Sequence, residues 1–327
     1  MAEEKCKVYY DGSHYIAIKH TTNPAKPRKF KIEETIVVNA PNEDIAVAST
    51  VTESNAGPIV ENKGVPAPTP RIMTKKELFD ELYTKYIDLR KNERKKRILE
   101  DMAEYFDTPQ QADAFIAGNF ERKERNLICR RIRMSRKANQ QKWNYFVTCT
   151  YDDALHTEDS FRESLMNRLS LFSSRKKWRY IGVWERSPEK KRLHFHGIFF
   201  IPDGTMPGEL VEVSDYSFSS KKRQTTVQNT YFNTYFGRSD FEEIDEHLTA
   251  RALQYMLKYI EKTGERIVYS RGLYQYFISD IMDDDIICVT GTDENKFILF
   301  DDFSCFDEGV YIGQNSPKVR AQMKKSN

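Results

Sequence analysis

The sequence contains few cysteines, and their spacing indicates neither a disulfide framework nor a cysteine-based zinc site. The five cysteines are scattered over 327 residues, and no two of them form a CxxC pair. Small secreted domains carry many cysteines that pair, and structural zinc sites usually carry closely spaced ones. We therefore expect a protein of a reducing compartment, the cytoplasm, without a structural zinc.

Long apolar runs are absent as well. No apolar segment follows a basic start at the N-terminus, and no stretch approaches the roughly 20 apolar residues of a membrane-spanning helix. We therefore expect neither secretion nor membrane insertion. The phosphate-binding pattern GxxxxGK[ST] is also missing, which excludes a fused P-loop helicase. The net charge is only +2, so contacts with nucleic acid have to come from local basic clusters.

Changes of composition along the chain divide it into five predicted regions. A stretch rich in Pro, Asn, Ser, Thr and Gly has little to bury and is predicted to be a flexible linker. Thr74 and Glu77 then form a capping box that predicts the start of a helical region. The regions are a short β segment (1–38), the linker (39–73), a basic helical region (74–142), a domain of strands and helices (143–312) and a basic tail (313–327).

The fourth region alternates between strand and helix patterns. Strands rich in β-branched and aromatic residues are predicted at 145–151, 178–185, 192–202 and 266–270, and amphipathic helices at 157–172 and 246–262. The order β-α-β-β-α-β predicts an α+β fold, in which an antiparallel central sheet carries its helices on one face.

The strand at 192–202 contains two histidines separated by one residue, His194 and His196. Side chains alternate along a strand, so both imidazoles project from one face and can share a divalent cation. Glu185 ends the preceding strand and is the candidate third ligand, with Glu189 as an alternative. This donor set leaves positions open for water and a phosphate oxygen, which suits Mg²⁺ or Mn²⁺ as a Lewis acid. The alternative is a chance HxH pattern on a half-buried strand.

Two tyrosines, Tyr255 and Tyr259, lie four residues apart on one side of the helix at 246–262. They fall on the border between its apolar and basic sides, where a ring can pack while its hydroxyl meets a charged substrate. A phenol has a pKa near 10 and is a poor nucleophile, and Lys258 is placed to stabilise developing negative charge. With a cation on the phosphate, these groups predict transesterification to a 5′-phosphotyrosine and a free 3′-hydroxyl. The alternative is that both tyrosines only pack.

Basic residues also cluster outside this helix. Lys and Arg that replace counterions on phosphates dominate affinity for nucleic acid, although such a cluster can equally be a solvated surface. Two acidic clusters, at 241–247 and 282–286, are interpreted as solvated rather than as a two-metal site. The candidate DNA contacts are Arg130, Arg131, Arg133, Lys190, Lys191, Arg192 and Arg271.

Three motifs, in this order along the chain, resemble those of the HUH endonucleases. FVTCT (146–150) is similar to their first, strand-borne motif, and HFH (194–196) resembles their His-hydrophobic-His motif. YMLKYIEK (255–262) resembles the YxxKYxxK motif of the two-tyrosine rolling-circle replication initiators of small single-stranded DNA phages and related plasmids. The resemblance covers about residues 143–270.

The resemblance implies a five-stranded palm-like sheet that carries His194 and His196 as metal ligands, with Glu185 matching an acidic third ligand of some members. It implies Tyr255 and Tyr259 as nucleophiles, assisted by Lys258 and Lys262. One tyrosine would nick single-stranded DNA at a replication origin and stay attached, and the second would later release it and rejoin the strand. A host helicase and polymerase would act beside the protein in a bacterial cytoplasm.

Other functions fit parts of this pattern. A related HUH transposase or relaxase uses the same chemistry, although the two closely spaced tyrosines with lysines favour the initiator. A non-catalytic protein with the same fold could bind and repress its own origin. A purely structural metal-binding domain is disfavoured because cysteine ligands are lacking.

Overall fold

The structure, a computed structural model, describes residues 4–20, 35–38, 71–187, 192–217, 221–263, 266–290 and 296–327. The strands are β1 (Glu4–Tyr10), β2 (Tyr15–Lys19), β3 (Thr35–Val38), β4 (Arg71–Thr74), β5 (Tyr145–Thr150), β6 (Arg179–Arg186), β7 (Leu193–Phe200), β8 (Leu210–Ser217), β9 (Lys222–Asn229), β10 (Ser239–Glu243), β11 (Val268–Tyr269), β12 (Tyr276–Ile281), β13 (Ile286–Val289), β14 (Lys296–Leu299), β15 (Ser304–Asp307), β16 (Val310–Gln314) and β17 (Lys325–Ser326). The helices are α1 (Lys75–Lys85), α2 (Lys91–Met102), α3 (Pro109–Asn139), α4 (Glu158–Lys176), α5 (Thr230–Tyr235), α6 (Glu246–Thr263) and α7 (Pro317–Gln322).

These elements form two compact units. One is Ala25–Lys123, and the other combines Met1–Pro24 with Glu124–Asn327. In the first unit, the hairpin of β3 and β4 and the helices up to residue 123 enclose a core that includes Phe79, Ile98 and Ile116. Thr74 caps α1 in the predicted capping box, with reciprocal bonds to Glu77. Most of the predicted linker lies outside the described residues, but its last three residues belong to β4.

The second unit contains a five-stranded sheet in the order β10-β5-β7-β6-β11, and every neighbouring pair is antiparallel. The strands and helices predicted at residues 145–270 are all present, and their ends differ by at most four residues. The predicted α+β class with an antiparallel central sheet is confirmed. Strand β7, which carries the two histidines, lies in the middle of the sheet and pairs with β5 and β6 along its length.

The helices pack on both faces of this sheet, so the prediction that they share one face was wrong. Helix α4 buries Phe161, Leu165 and Leu169 against one face, together with Phe195 of β7. Helix α6 covers the opposite face, with the residues Leu253, Met256, Ile260, Ile181 and Ile198 in one core. Both helices are amphipathic, and amphipathicity alone does not say which face of a sheet a helix will cover.

A glycine in β6 leaves room for a buried ring between the strands and α4. Gly182 pairs with Gly197 of β7, and a Cβ atom added to Gly182 would lie 2.1 Å from Cζ of Phe195. Phe195 is fully buried, so its ring cannot move aside into solvent. Gly182 therefore allows the close packing of the first core.

Gly182→Ala is expected to lower the free energy of unfolding by about 3 kcal/mol, since overpacking forces a buried ring out of place. Urea denaturation followed by circular dichroism measures this. The matched control is Gly118→Ala in α3, where an added Cβ meets nothing within 4 Å. It should raise stability by about 0.5–1 kcal/mol, because alanine favours a helix interior. Equal midpoints for the two variants would contradict the packing described.

The second unit also contains a sheet built from both ends of the chain. Its order is β13-β14-β2-β1-β12-β15-β16, and β17 pairs with β12. The predicted N-terminal hairpin is present as β1 and β2, and it pairs with strands more than 250 residues away. Strands β12 to β15 lie in the region assigned to the central domain, and its predicted end at 312 falls inside β16.

Candidate functional site

Side chains of four elements meet on the face of the five-stranded sheet that α6 covers. On β7, His194 and His196 project from this face, and their ring centroids are 6.1 Å apart. Antiparallel register places Glu185 of β6 opposite His194. The predicted hairpin between the two strands therefore brings the carboxylate beside the imidazoles, although the loop residues 188–191, with Glu189, Lys190 and Lys191, lie outside the described residues.

Two threonines of β5 hold the histidine rings. Thr150 Oγ1 lies 2.7 Å from Nδ1 of His194, and Thr148 Oγ1 lies 3.0 Å from Nδ1 of His196. The register explains this, because Thr150 pairs with His194 and Thr148 with His196 across β5 and β7. Each hydrogen bond occupies Nδ1 and turns Nε2 of the same ring away from the strand.

Glu185 and His196 are both buried and form an ion pair. Oε2 of Glu185 lies 2.8 Å from Nε2 of His196, and the two residues are 9% and 8% exposed. With Nε2–H donating to the carboxylate, Nδ1 accepts from the hydroxyl of Thr148. If Nε2 instead holds a cation, Nδ1–H donates to the same hydroxyl. A hydroxyl can donate or accept, so Thr148 matches both tautomers of His196.

The two tyrosines of α6 reach the same histidine. The ring centroid of His196 lies 5.5 Å from that of Tyr255 and 6.1 Å from that of Tyr259. The tyrosine rings contact each other at 4.9 Å in an edge-to-face arrangement. Phe146 of β5 packs against His196 from another side, at 6.2 Å, and against Tyr255 at 5.9 Å. Histidines, carboxylate and phenols thus occupy one small volume.

Helix α6 takes this position because of its sequence pattern. Asp245 accepts a hydrogen bond from the backbone N–H of Leu248 and so caps the helix start. Met256 and Ile260 are buried against the sheet, and the tyrosines follow at the edge of this apolar stripe. Tyr255 remains 37% exposed and Tyr259 is half-buried. Their rings therefore pack while Tyr255 keeps access to solvent.

Burial and neighbouring charge shift the pKa values of this cluster. Burial lowers the pKa of His194, and the charges of His196 and Arg192 lower it further against the opposing charge of Glu185. His194 is therefore a neutral imidazole near pH 7. Burial also raises the pKa of both tyrosines; hydrogen bonding to Tyr255 and the charge of Glu185 raise that of Tyr259 further. Both phenols are protonated at rest.

The donor set fits a divalent cation in kind. Both Nδ1 atoms are bound to hydroxyls, which leaves the two Nε2 atoms and the Glu185 carboxylate as donors. Within the described ranges, however, no three His, Cys, Asp or Glu side chains already stand in an arrangement that could hold a metal ion. The bond between Glu185 and His196 would have to open for all three to bind one cation.

The other predicted site residues lie around this cluster. Lys258 is exposed on α6, and the side chain of Lys262 lies outside the described residues. Arg192 begins the chain after the loop 188–191 and is held by the carbonyl oxygen of Tyr151 and the carboxylate of Asp153. Arg271 is exposed in the turn after β11. The geometry alone gives these four residues no role in the chemistry.

The basic part of α3 divides its cations between packing and surface. Lys137 is buried and donates to the carbonyl oxygen of Leu273, and the guanidinium of Arg136 stacks 3.8 Å above the ring of Tyr9. The predicted DNA contacts differ among themselves. Arg133 is exposed, whereas Arg130 and Arg131 are half-buried. Part of the basic pattern thus reflects packing of the helix on its own unit.

Sequence reasoning did not identify Thr148, Thr150 and Phe146 as parts of the site. The signal was available, since these residues alternate along FVTCT and therefore share one face of β5. What was missing was the register, which places that face beside the histidines.

Comparison with known proteins gives a family match. The sequence model of the family described as replication-associated protein ORF2 matches residues 144–264, about a third of the chain. The matched range begins just before β5 and ends after α6, so it contains every residue of the cluster. The match supports the predicted relation to replication initiator proteins and a role in replication initiation. No curated protein and no solved structure matches the chain significantly.

Among the helices of the described residues, none is both long enough and apolar enough to cross a lipid bilayer.

Proposed function

We propose that the protein is an HUH endonuclease of the two-tyrosine type, which nicks and rejoins single-stranded DNA at a replication origin. The observation that carries the proposal is the contact of both tyrosine rings with His196, which is itself bonded to Glu185 and lies beside His194. Residues of α6 and β7, far apart in the sequence, meet here on elements that the family match spans.

The proposed reaction is a transesterification without water. The hydroxyl oxygen of a tyrosine attacks the phosphorus, and the bond from phosphorus to the 3′ oxygen breaks. The phenol loses one proton and the leaving 3′ oxygen gains one, so the balance closes with a 5′-phosphotyrosine and a 3′-hydroxyl. A bound Mg²⁺ or Mn²⁺ would supply Lewis-acid polarisation of the phosphate. His194, His196 and Glu185 would hold it, and the exposed Lys258 would stabilise nearby negative charge.

Two tyrosines suit a reaction that has to be repeated. The first attack conserves the energy of the phosphodiester bond in the protein–DNA link. A second phenol 4.9 Å from the first, measured between ring centroids, can attack the regenerated junction and release the first. The proposed partners are single-stranded origin DNA and a helicase and polymerase of the host.

The central test is formation of a covalent adduct. The protein is incubated with single-stranded DNA from its own replicon and Mn²⁺, and the products are separated on a denaturing gel. We expect a labelled adduct with the wild-type chain and none with Tyr255→Phe/Tyr259→Phe, whose DNA binding should stay within about threefold. Absence of any adduct with wild-type protein, across the whole replicon sequence, would refute the proposal.

The threonines beside the histidines are expected to matter for metal binding. Thr148→Val and Thr150→Val keep the side-chain shape but remove the hydroxyl that orients Nδ1. Loss of such an orienting bond typically weakens metal affinity by about 10–100-fold. Titration with Mn²⁺ measures this directly. Thr234→Val is the matched control, because its hydroxyl bonds only within α5. Unchanged affinity in both β5 variants would mean that the histidines are not the ligands.

A further inference from the structure

The hairpin of β8 and β9 is a large feature that the proposed reaction does not use. Its paired residues run from Leu210 opposite Asn229 to Ser217 opposite Lys222. Eight residues per strand give a length of about 27 Å. The hairpin forms a two-stranded sheet of its own and adds no strand to the five-stranded sheet.

The base of the hairpin is fixed to the unit that carries the site. Asn229 is fully buried; its side chain accepts from the backbone N–H of Phe232 at 3.1 Å and donates to the carbonyl oxygen of Pro207 at 2.9 Å. Its own backbone N–H donates to Ser239 Oγ at 3.0 Å, and Ser239 begins β10 next to β5. The hairpin is therefore a fixed arm at its base.

The distal half of the arm buries little. Every side chain described there is exposed, namely those of Ser214, Tyr216 and residues 221–225. An isolated two-stranded hairpin is only marginally stable in water, and additional exposed pairs contribute little to folding. The length of the arm is therefore not explained by the stability of the fold.

The charges at the tip are all positive among the described side chains. Lys221, Lys222 and Arg223 follow one another, and no ion pair links any of them to a described acidic residue. Successive side chains of a strand point to opposite faces, so Lys222 and Arg223 place one cation on each face of the ribbon. Tyr216 lies opposite Arg223 in the register.

Cations on both faces suit a groove between two rows of phosphates. The major groove of duplex DNA is about 12 Å wide and admits a two-stranded ribbon, with phosphates on either side of it. A single strand offers only one row of phosphates and would need cations on one face. Gln224 and Thr225 next to the cations carry the polar groups that contact base edges in such a groove.

We propose that the β8–β9 hairpin is an arm that binds duplex DNA in the major groove. That this duplex is the one beside the nicked strand rests on the proposed function; the binding itself does not. The arm would hold the double-stranded flank of an origin while the tyrosine site works on the unpaired strand.

The test measures affinity for a labelled duplex of mixed sequence, about two helical turns long, and for its single strand, by fluorescence anisotropy at several salt concentrations. The variant is Lys221→Gln/Lys222→Gln/Arg223→Gln. The matched control, Lys318→Gln/Lys324→Gln/Lys325→Gln, removes the same charge from exposed positions of the C-terminal segment. We expect at least roughly a tenfold loss of duplex affinity in the arm variant and a salt slope smaller by about 3, with single-strand affinity changed less than about twofold.

A second variant guards against a folding defect. Lys221→Arg/Lys222→Arg/Arg223→Lys keeps the charges and should bind the duplex like the wild type. Equal duplex affinity of the arm variant and the control overturns the inference, and so does an equal loss for duplex and single strand. The adduct assay on single-stranded DNA is run with the same proteins. If no protein forms an adduct but the arm variant alone loses duplex binding, the proposed function fails and the arm stands; the reverse result separates them equally.

Discussion

Replacing His196 by alanine is expected to lower the rate of DNA nicking by about 1,000-fold, equivalent to roughly 4 kcal/mol of transition-state stabilisation. His196 contacts both tyrosine rings, the Glu185 carboxylate and the Thr148 hydroxyl. Its loss removes a proposed ligand and leaves the phenols without the ring they pack on. Single-turnover adduct formation in Mn²⁺ measures the effect.

Controls separate chemistry from folding. His196→Ala leaves the buried Glu185 without this partner, so it can also lower stability. His194→Ala is the cleaner variant, because the hydrogen bond of that ring goes to the Thr150 hydroxyl rather than to a buried charge; it should give a similar loss of rate with a smaller change in melting temperature. His14→Ala, at an exposed histidine in the turn after β1, should act like the wild type. Nicking within about tenfold of wild type in both site variants would rule out a metal held by the two imidazoles.

The site residues on α6 and β7 were predictable because each has a local signal. Alternation along β7 places His194 and His196 on one face, and the i, i+4 spacing places Tyr255 and Tyr259 on one side of α6. That the two surfaces meet needed one more step, the packing of α6 on the histidine face. The buried stripe with Met256 and Ile260 makes that contact, and the tyrosines at its edge follow.

Other features had no local signal. The strand β1 could be predicted as one arm of a hairpin, but its other neighbour, β12, lies more than 250 residues further along the chain. The hydrophobic pattern of a strand shows which of its faces is buried and does not name its partner. The β8–β9 hairpin escaped notice because its distal half is polar on both faces, so no alternation marks it.

The two tyrosines are expected to act in a fixed order. Tyr255 is the more accessible of the two, at 37% exposure, whereas Tyr259 is half-buried and bonded toward Glu185 and Tyr255. An attacking oxygen must reach the phosphorus of a strand that enters from solvent, which favours Tyr255. Tyr255→Phe should therefore lower formation of the first adduct by roughly 1,000-fold, and Tyr259→Phe by less than about tenfold.

Peptide mapping of the adduct identifies the attached residue and should find Tyr255 in the wild-type chain after a single turnover. Tyr259→Phe should still form that first adduct but fail to release it when a second DNA strand is offered, because the second phenol is missing. Tyr311→Phe, at an exposed tyrosine of β16, serves as the control and should behave like the wild type. A first adduct found on Tyr259 would show that the strand reaches the buried side of the pair, and the assigned order would have to be reversed.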